Sequence, residues 1–213
     1  MADESARVLR IIQDGAEELG LAGTPSLPLE RLAELASLVA AWGERMNLTG
    51  HRDAETVARR LVLDALALSR VLPASETIAD LGSGAGFPGL PLAILRPDSR
   101  VFLVESRERR HHFQRQAVRA LGLENATPRR GRFDEMQPEL CGGVLAQAVA
   151  PPDRLLGWML RWAAPGAWIA VPTGERPEPL ESPRIATQEA LVYRVPLGGS
   201  QRGLWLARTA LER

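Results

Sequence analysis

The chain has 213 residues, of which 45% are hydrophobic, 24% charged and 5% aromatic. This composition is that of a folded globular protein, and it excludes a disordered or fibrous chain. At roughly 150 residues per domain, the length predicts one medium domain that carries an extension. The formal net charge is zero, so the overall charge gives no argument for a nucleic-acid partner.

Membrane insertion, disulfide bonding and metal binding are all disfavoured by the sequence. No apolar run reaches the roughly 18 residues of a membrane helix, and the start, Met1 to Glu4, lacks the features of a signal peptide. We therefore expect a cytoplasmic protein with no membrane partner. The single cysteine, Cys141, cannot form an internal disulfide, and with only three histidines we expect no metal site.

The first 72 residues have the apolar spacing of helices. Three helices are predicted: one along the stripe from Val8 to Leu19, capped by Asp3 and ended by Gly20, and two more over 28–42 and 53–72. We therefore divide the chain into an N-terminal helical extension, 1–72, and a second domain, 73–213.

From residue 77 onward, short apolar runs alternate with longer helical segments, which predicts a parallel sheet with crossover helices. The predicted helices lie near 88–95, 107–121 and 152–163. Two strand-like runs around Gly198 predict a closing hairpin, which brings the predicted sheet to seven strands: 77–81, 100–104, 126–129, 143–148, 166–171, 185–195 and 203–210.

The most informative segment is the loop after the first predicted strand, Asp80-Leu81-Gly82-Ser83-Gly84-Ala85-Gly86-Phe87-Pro88-Gly89. Its glycines permit close approach to a ligand, and the following helix start offers free N–H groups, as in nucleotide-binding turns. A dinucleotide fingerprint would need its third glycine where Phe87 stands, which disfavours NAD. Asp80 precedes the first glycine and suits the cationic amino end of S-adenosylmethionine (SAM). We therefore predict SAM as the cofactor.

Two further segments fit the rest of this cofactor. Glu105 ends the second predicted strand, where an acidic side chain accepts hydrogen bonds from ribose hydroxyls. Phe133 and Asp134 follow the third strand, where the chain would flank the adenine. Core packing for Phe133 and helix capping for Asp134 are equally compatible with the sequence.

Two kinds of methyl transfer are excluded. Enzymes that methylate exocyclic amines carry Asn or Asp, two prolines and an aromatic residue after the fourth strand, whereas Ala150 and Asp153 stand at the first and last of these positions. Cys141 has no basic neighbour to lower its pKa, which argues against a cysteine nucleophile.

Several segments together resemble one family. They are Met46-Asn47-Leu48-Thr49, Arg52-Asp53, Arg60, Asp64, the 80–89 loop and Leu121-Gly122-Leu123-Glu124-Asn125. This pattern is similar to the RsmG family, also called GidB, of bacterial small-subunit ribosomal RNA methyltransferases. The resemblance extends over roughly residues 5–175.

The resemblance implies a class I SAM-dependent methyltransferase, with a Rossmann-like, doubly wound and mostly parallel α/β sheet and an N-terminal helical extension. It implies methyl transfer to N7 of a guanine in the decoding-region hairpin of 16S rRNA, in the small ribosomal subunit, by a protein expected to be a monomer. The residues that it assigns to the SAM site are Gly82 and Phe87 of the loop, with Phe133 and Asp134 at the adenine. Gly84 and Gly86 are assigned to the same site from the glycine spacing of the loop.

The sequence departs from the family pattern at several positions near the expected site. Gln147, which we assign to the cofactor site, stands where the family usually has arginine. Leu61 and Ala65 replace a histidine and a serine, and the family's lysine after the fifth strand is replaced around Pro172-Thr173. Because an amide lacks the charge and the planar fork of a guanidinium, we expect SAM binding to survive these changes better than RNA methylation does.

The positive charge is local. Residues 96–132 contain ten arginines and four acids. We expect these arginines to bind RNA phosphates, with a solvated helix face as the alternative. The candidates are Arg107, Arg109, Arg110, Arg129 and Arg130.

Guanine N7 carries a lone pair and no proton, so we assign no catalytic acid or base. Two alternatives remain open: a paralogue that methylates another RNA or a small molecule, and a SAM-binding protein without transfer activity.

Overall fold

The fold is built on a twisted α/β sheet. The computed structural model describes residues 2–21, 27–147 and 149–211, and within them seven strands form one sheet in the order β3-β2-β1-β4-β5-β7-β6. Strand β7 runs antiparallel to both of its neighbours, and the other strand pairs are parallel. The strands are β1 (Thr77–Leu81), β2 (Arg100–Glu105), β3 (Ala126–Arg130), β4 (Cys141–Leu145), β5 (Ala163–Thr173), β6 (Ile185–Arg194) and β7 (Gln201–Thr209). The predicted α/β class and mostly parallel sheet are confirmed.

Strand β4 differs from its predicted range at both ends. It covers Cys141–Leu145 rather than 143–148, and residue 148 lies outside the described residues. Cys141 pairs with Ala163, and the register then shifts so that Gly143 pairs with Trp168. Two consecutive glycines give no apolar strand pattern, so pairing with β5, rather than local sequence, determines where β4 begins.

The helices of the described chain are α1 (Ala2–Glu18), α2 (Leu29–Gly43), α3 (Ala54–Val57), α4 (Leu63–Val71), α5 (Gly89–Leu95), α6 (Glu108–Ala120) and α7 (Pro152–Trp162). None of these helices is long and apolar enough to cross a membrane.

Two details of the N-terminal helices differ from the prediction. A π-helical turn over Ala58–Val62 joins α3 to α4, where one regular helix was predicted. Asp3 lies inside the first turn of α1, so the predicted cap was wrong. Asp53 does cap α3, because its carboxylate accepts a hydrogen bond of 2.7 Å from the Thr56 amide.

Helices cover both faces of the sheet. Helix α7 packs on one face, where Leu155 and Met159 meet buried side chains of β1, β4 and β5. The N-terminal helices pack with α5 and α6 on the other face, where Leu35 and Leu66 share one core with Leu103. The N-terminal helices therefore complete a layer of the sheet's own core.

The packing of β4 against β5 yields a stability prediction. A methyl group at the buried Gly143 would lie 2.2 Å from Cζ2 of the buried Trp168 ring. We expect Gly143→Ala to lower the free energy of unfolding by about 1–3 kcal/mol, as overpacking does. Gly157→Ala is the control, because Gly157 lies in α7 with open space around it and should gain about 0.5–1 kcal/mol. Urea unfolding of both variants measures this, and equal effects would contradict the packing argument.

Candidate active site

The glycine loop between β1 and α5 has a backbone that only glycine adopts easily. Gly82, Gly84 and Gly86 have φ angles of +73°, +58° and +85°. At Gly82 a side chain would also meet Val149, whose Cγ2 atom lies 2.7 Å from the position of a Cβ. The loop therefore requires its glycines for conformation and for close packing.

Glu105 at the end of β2 holds this loop. Its carboxylate accepts 2.9 Å and 2.7 Å hydrogen bonds from the amides of Gly84 and Arg107, one to each oxygen. The side chain is almost fully buried and borders a cavity. The Ser106 hydroxyl lies a further 3.4 Å from the oxygen that accepts from Arg107, at the long limit of a hydrogen bond, whereas the other oxygen keeps a second lone pair, so Glu105 can still accept from ligand hydroxyls.

Gln114 on α6 also holds the glycine loop through hydrogen bonds. The sequence analysis did not identify this residue. Its fully buried side-chain amide donates 2.8 Å hydrogen bonds to Ser83 Oγ and to the Gly84 carbonyl oxygen. The available signal was its place beside Phe113 on the apolar face of α6, since a buried amide needs partners.

A cavity of about 490 Å³ lies beside the loop and brings six of the predicted residues together: Gly82, Glu105, Arg107, Arg110, Phe133 and Asp134. Gly84 and Gly86 belong to the loop but do not line the cavity, and neither does Phe87. The cavity adjoins the carboxyl ends of β1 and β2, where ligands bind in open α/β sheets.

Phe133 and Asp134 form one end of this cavity. The rings of Phe133 and Trp158 meet edge to face with centroids 5.5 Å apart, and Trp162 Nε1 donates a 3.0 Å hydrogen bond to the Phe133 carbonyl oxygen. A hydrogen bond from Arg132 lowers the pKa of Asp134, so this carboxylate is an acceptor. Asp134 lies in a turn and caps no helix, and the sequence analysis had not foreseen Trp158 at the cavity.

Asp80 is buried behind the loop and does not line the cavity. Its carboxylate accepts a 2.9 Å hydrogen bond from the Gly89 amide at the start of α5. Burial raises the pKa of Asp80 to about 7, and the negative charge of Glu105 adds to that rise. An ammonium group near Asp80 would compensate for this burial, so its role at the amino end of SAM stays a prediction.

A second cavity, of about 280 Å³, contains Gln147. It is lined by Gln147, Ala150, Leu155, Val171, Pro172, Thr173, Gly174 and Arg202. Ala150 also lines the first cavity, so the two cavities adjoin. Gln147 therefore lies beside the first cavity rather than in its wall.

Arg202 in the second cavity is partly buried and forms a cluster with the buried residues Asp64 and Tyr193. Its Nη2 atom lies 3.3 Å from Asp64 Oδ2, and the Tyr193 hydroxyl donates a 2.8 Å hydrogen bond to Asp64 Oδ1. Burial raises the pKa of Asp64, and contacts with Tyr193, Arg202 and Gln147 oppose that rise. Sequence reasoning selected Asp64 only through the family resemblance and did not select Arg202 or Tyr193.

The predicted RNA-binding arginines divide into two groups. Arg107 and Arg110 line the first cavity, and Arg109 is exposed on the same helical turn. Arg129 pairs with Glu139, and Arg130 lies 3.3 Å from Glu108. The second group is therefore partly neutralised within the protein.

The chemistry of the described residues gives no support for metal or thiol catalysis. Between residues 2 and 211, apart from the undescribed positions, no group of three or more His, Cys, Asp or Glu residues could hold a metal ion. Burial raises the pKa of the Cys141 thiol to about 11, so the reactive thiolate is rare at neutral pH.

Comparisons with known proteins agree with this architecture. Residues 28–188 match the model of the GidB family, described as rRNA small subunit methyltransferase G. The chain belongs to the GidB family. Ribosomal RNA small subunit methyltransferase G of Halorhodospira halophila is 37% identical, with 84% of this chain and 87% of that protein covered. The Aeromonas hydrophila protein of the same name is 39% identical, with 70% and 69% covered.

Solved structures show the same fold. A putative O-methyltransferase from Klebsiella pneumoniae has a TM-score of 0.57 at 17% identity, with 91% of this chain and 95% of that chain covered. A SAM-dependent methyltransferase from Aquifex aeolicus has a TM-score of 0.54 at 16% identity, with 79% and 97% covered. The predictions of a methyltransferase fold and of a SAM-dependent enzyme of this family are confirmed.

The position of Glu105 predicts its effect on cofactor affinity. We expect Glu105→Gln to weaken SAM binding by about 1.5–3 kcal/mol, because the charged acceptor is lost and the new NH₂ group faces main-chain donors. Isothermal titration calorimetry measures the change. The control is Glu124→Gln, which neutralises an exposed acid between α6 and β3, at the opposite edge of the sheet. Equal SAM affinities in the two variants would contradict this role for Glu105.

Proposed function

We propose that the first cavity binds SAM and that the protein transfers the methyl group to N7 of a guanine in the decoding-region hairpin of 16S rRNA. The observation that carries the proposal is the Glu105 carboxylate, which borders the cavity while it fixes the glycine loop. Membership of the GidB family supports the ribosomal substrate. A ribosomal substrate also supports the expected cytoplasmic location, and the monomeric state stays a prediction.

The described residues fit the parts of this cofactor. Glu105 has acceptor capacity for the two ribose hydroxyls. Phe133 offers an aromatic surface to the adenine, and Asp134 is a charged acceptor beside it. The carboxylate of Asp80 suits the ammonium group of SAM. Asp80 lies behind the loop glycines, which have no side chains that would block the approach of a ligand. The cofactor supplies an electrophilic methyl group on a sulfonium.

The proposed reaction requires little proton chemistry from the protein. With SAM bound, the sulfonium would supply the methyl group, and guanine N7 would accept it through an in-plane lone pair that carries no proton. No proton leaves N7, so no general base is needed. The residues of the chain contribute by aligning donor and acceptor and by excluding water.

Arg202 supplies a guanidinium near Gln147, which stands where the family usually has arginine. The neutral Gln147 led us to expect weak transfer to RNA. In the structure, Arg202 brings a guanidinium into the cavity that contains Gln147, next to the cofactor cavity. This guanidinium supports transfer to a base despite the departure, since it supplies the planar charged donors that Gln147 lacks.

The test uses small ribosomal subunits from a strain that lacks the family enzyme. We expect the purified protein with SAM to form 7-methylguanosine in 16S rRNA, detected by mass spectrometry of nuclease fragments. Gly84→Val is the negative control, because valine cannot easily adopt the φ of +58° on which the loop depends. SAM binding without transfer to any RNA would favour a binding protein, and transfer to another RNA or a small molecule would favour a paralogue.

The arginines beside the cofactor cavity predict a salt-dependent RNA contact. Arg109 is exposed at the start of α6, near the carboxyl edge of the sheet, whereas Arg119 is exposed near the end of the same helix. We expect Arg109→Ala to lower RNA affinity and to reduce the slope of log K against log salt by about one phosphate contact. Arg119→Ala is the matched control and should leave both unchanged. Identical slopes in the two variants would indicate that the arginines of α6 form a solvated helix face and do not bind RNA.

A further inference from the structure

The second cavity and the Asp64 cluster come from parts of the chain that are distant in sequence. Arg202 lies at the start of β7, and its partner across the antiparallel β6–β7 pair is Tyr193. Asp64 lies on α4, at the end of the N-terminal helical segment. The carboxyl ends of β4 and β5 supply Gln147 and Thr173, and α7 supplies Leu155.

Asp64 holds only part of the Arg202 guanidinium. The Asp64 side chain is 7% exposed and lies 3.3 Å from Nη2, so the pair is shielded from solvent on the carboxylate side. The Nε–H of Arg202 is buried and has no hydrogen-bond partner among the described residues. A buried donor without an acceptor requires an explanation. Because the Arg202 side chain is 33% exposed and lines the adjoining cavity, a ligand there with an acceptor atom would pair with its guanidinium.

The lining of the cavity indicates what kind of ligand this is. Leu155, Val171 and Pro172 give apolar walls, and the polar groups are few. A flat heterocycle with one or two acceptor atoms suits such a site better than a phosphate does, because phosphate needs several donors. Arginine recognises guanine through the acceptors on its major-groove edge.

Resting on the function proposed above, we propose that the second cavity receives the acceptor guanine, and that Asp64 and Tyr193 are positioning residues that hold Arg202 where it donates to guanine O6. Donation to O6 leaves the N7 lone pair free to attack. Ala150, which lines both cavities, marks where the base would meet the methyl donor. The N-terminal helical segment thereby contributes Asp64 to the acceptor side of the site.

The kinetic test separates positioning from a structural role. We expect Asp64→Asn and Tyr193→Phe each to lower kcat/KM for transfer to small subunits, at least about tenfold for Asp64→Asn. The reason is that a small displacement of a group that positions the substrate lowers the rate of transfer strongly. The SAM affinity of both variants should stay within about twofold of the wild type, since their contacts lie outside the first cavity. Thr209→Val is the control: it removes a buried hydroxyl that donates to the Ala164 carbonyl oxygen at the far end of β7. This control should change the melting temperature without changing kcat/KM.

Chemical rescue tests the link between the two side chains. We expect added guanidinium ion to restore part of the activity of Arg202→Ala, because the Asp64 carboxylate can still bind it. The double variant Arg202→Ala/Asp64→Asn should not respond. Rescue of the double variant to the same extent would overturn the positioning role of Asp64.

A binding measurement without turnover distinguishes this inference from the proposed function. With S-adenosylhomocysteine bound, we expect 5′-GMP to shift the NMR signal of the Arg202 Nε–H, assigned with Arg202→Lys, in the wild type but not in Asp64→Asn. This shift in a protein that does not methylate small subunits would retain the inference and reject the rRNA substrate. Transfer to rRNA with an unshifted Arg202 signal and unchanged kcat/KM in Asp64→Asn would reject the inference alone.

Discussion

One buried carboxylate, that of Glu105, holds the glycine loop beside the first cavity. It accepts one hydrogen bond from the Gly84 amide, in the loop after β1, and another from the Arg107 amide, which follows β2 and precedes α6. Glu105 therefore connects the ends of two strands that lie side by side in the sheet. Gln114 adds a second connection from α6 to the same loop. Because both sides of the loop are held, we expect ligand binding to cost little conformational entropy.

The parallel part of the sheet could be predicted from sequence because its strands are short, buried apolar runs between helices. Strand β4 could not be placed correctly, because Gly142 and Gly143 carry no strand pattern and their pairing is set by β5. The π-helical turn was missed for a related reason. One widened turn over Ala58–Val62 leaves the apolar spacing of a helix almost unchanged. Local periodicity therefore predicts which elements exist better than it predicts their irregularities.

The site was predictable where function depends on a strand end. Gly82, Glu105 and Phe133 follow β1, β2 and β3 closely, and parallel strands bring their carboxyl ends to one edge. Trp158 and Gln114 come from helix faces, and Arg202 comes from an antiparallel strand near the end of the chain. The distance along the sequence does not tell which of these side chains reach the edge, so the structure was needed to find them.

The two cavities depend on different parts of the molecule. The first is built from the loop, β2, the turn after β3 and α7, whereas Arg202 in the second contacts a carboxylate from the N-terminal helices. Those helices share their apolar core with α5, α6 and one face of the sheet, so Asp64 is carried by a helix that is part of the same packed core. A charge pair in which the carboxylate is buried and the arginine is 33% exposed adds little net stability, because desolvation of the carboxylate offsets most of the attraction. The arrangement of Asp64, Tyr193 and Arg202 is therefore better explained by the orientation that it gives to one guanidinium than by the energy of folding.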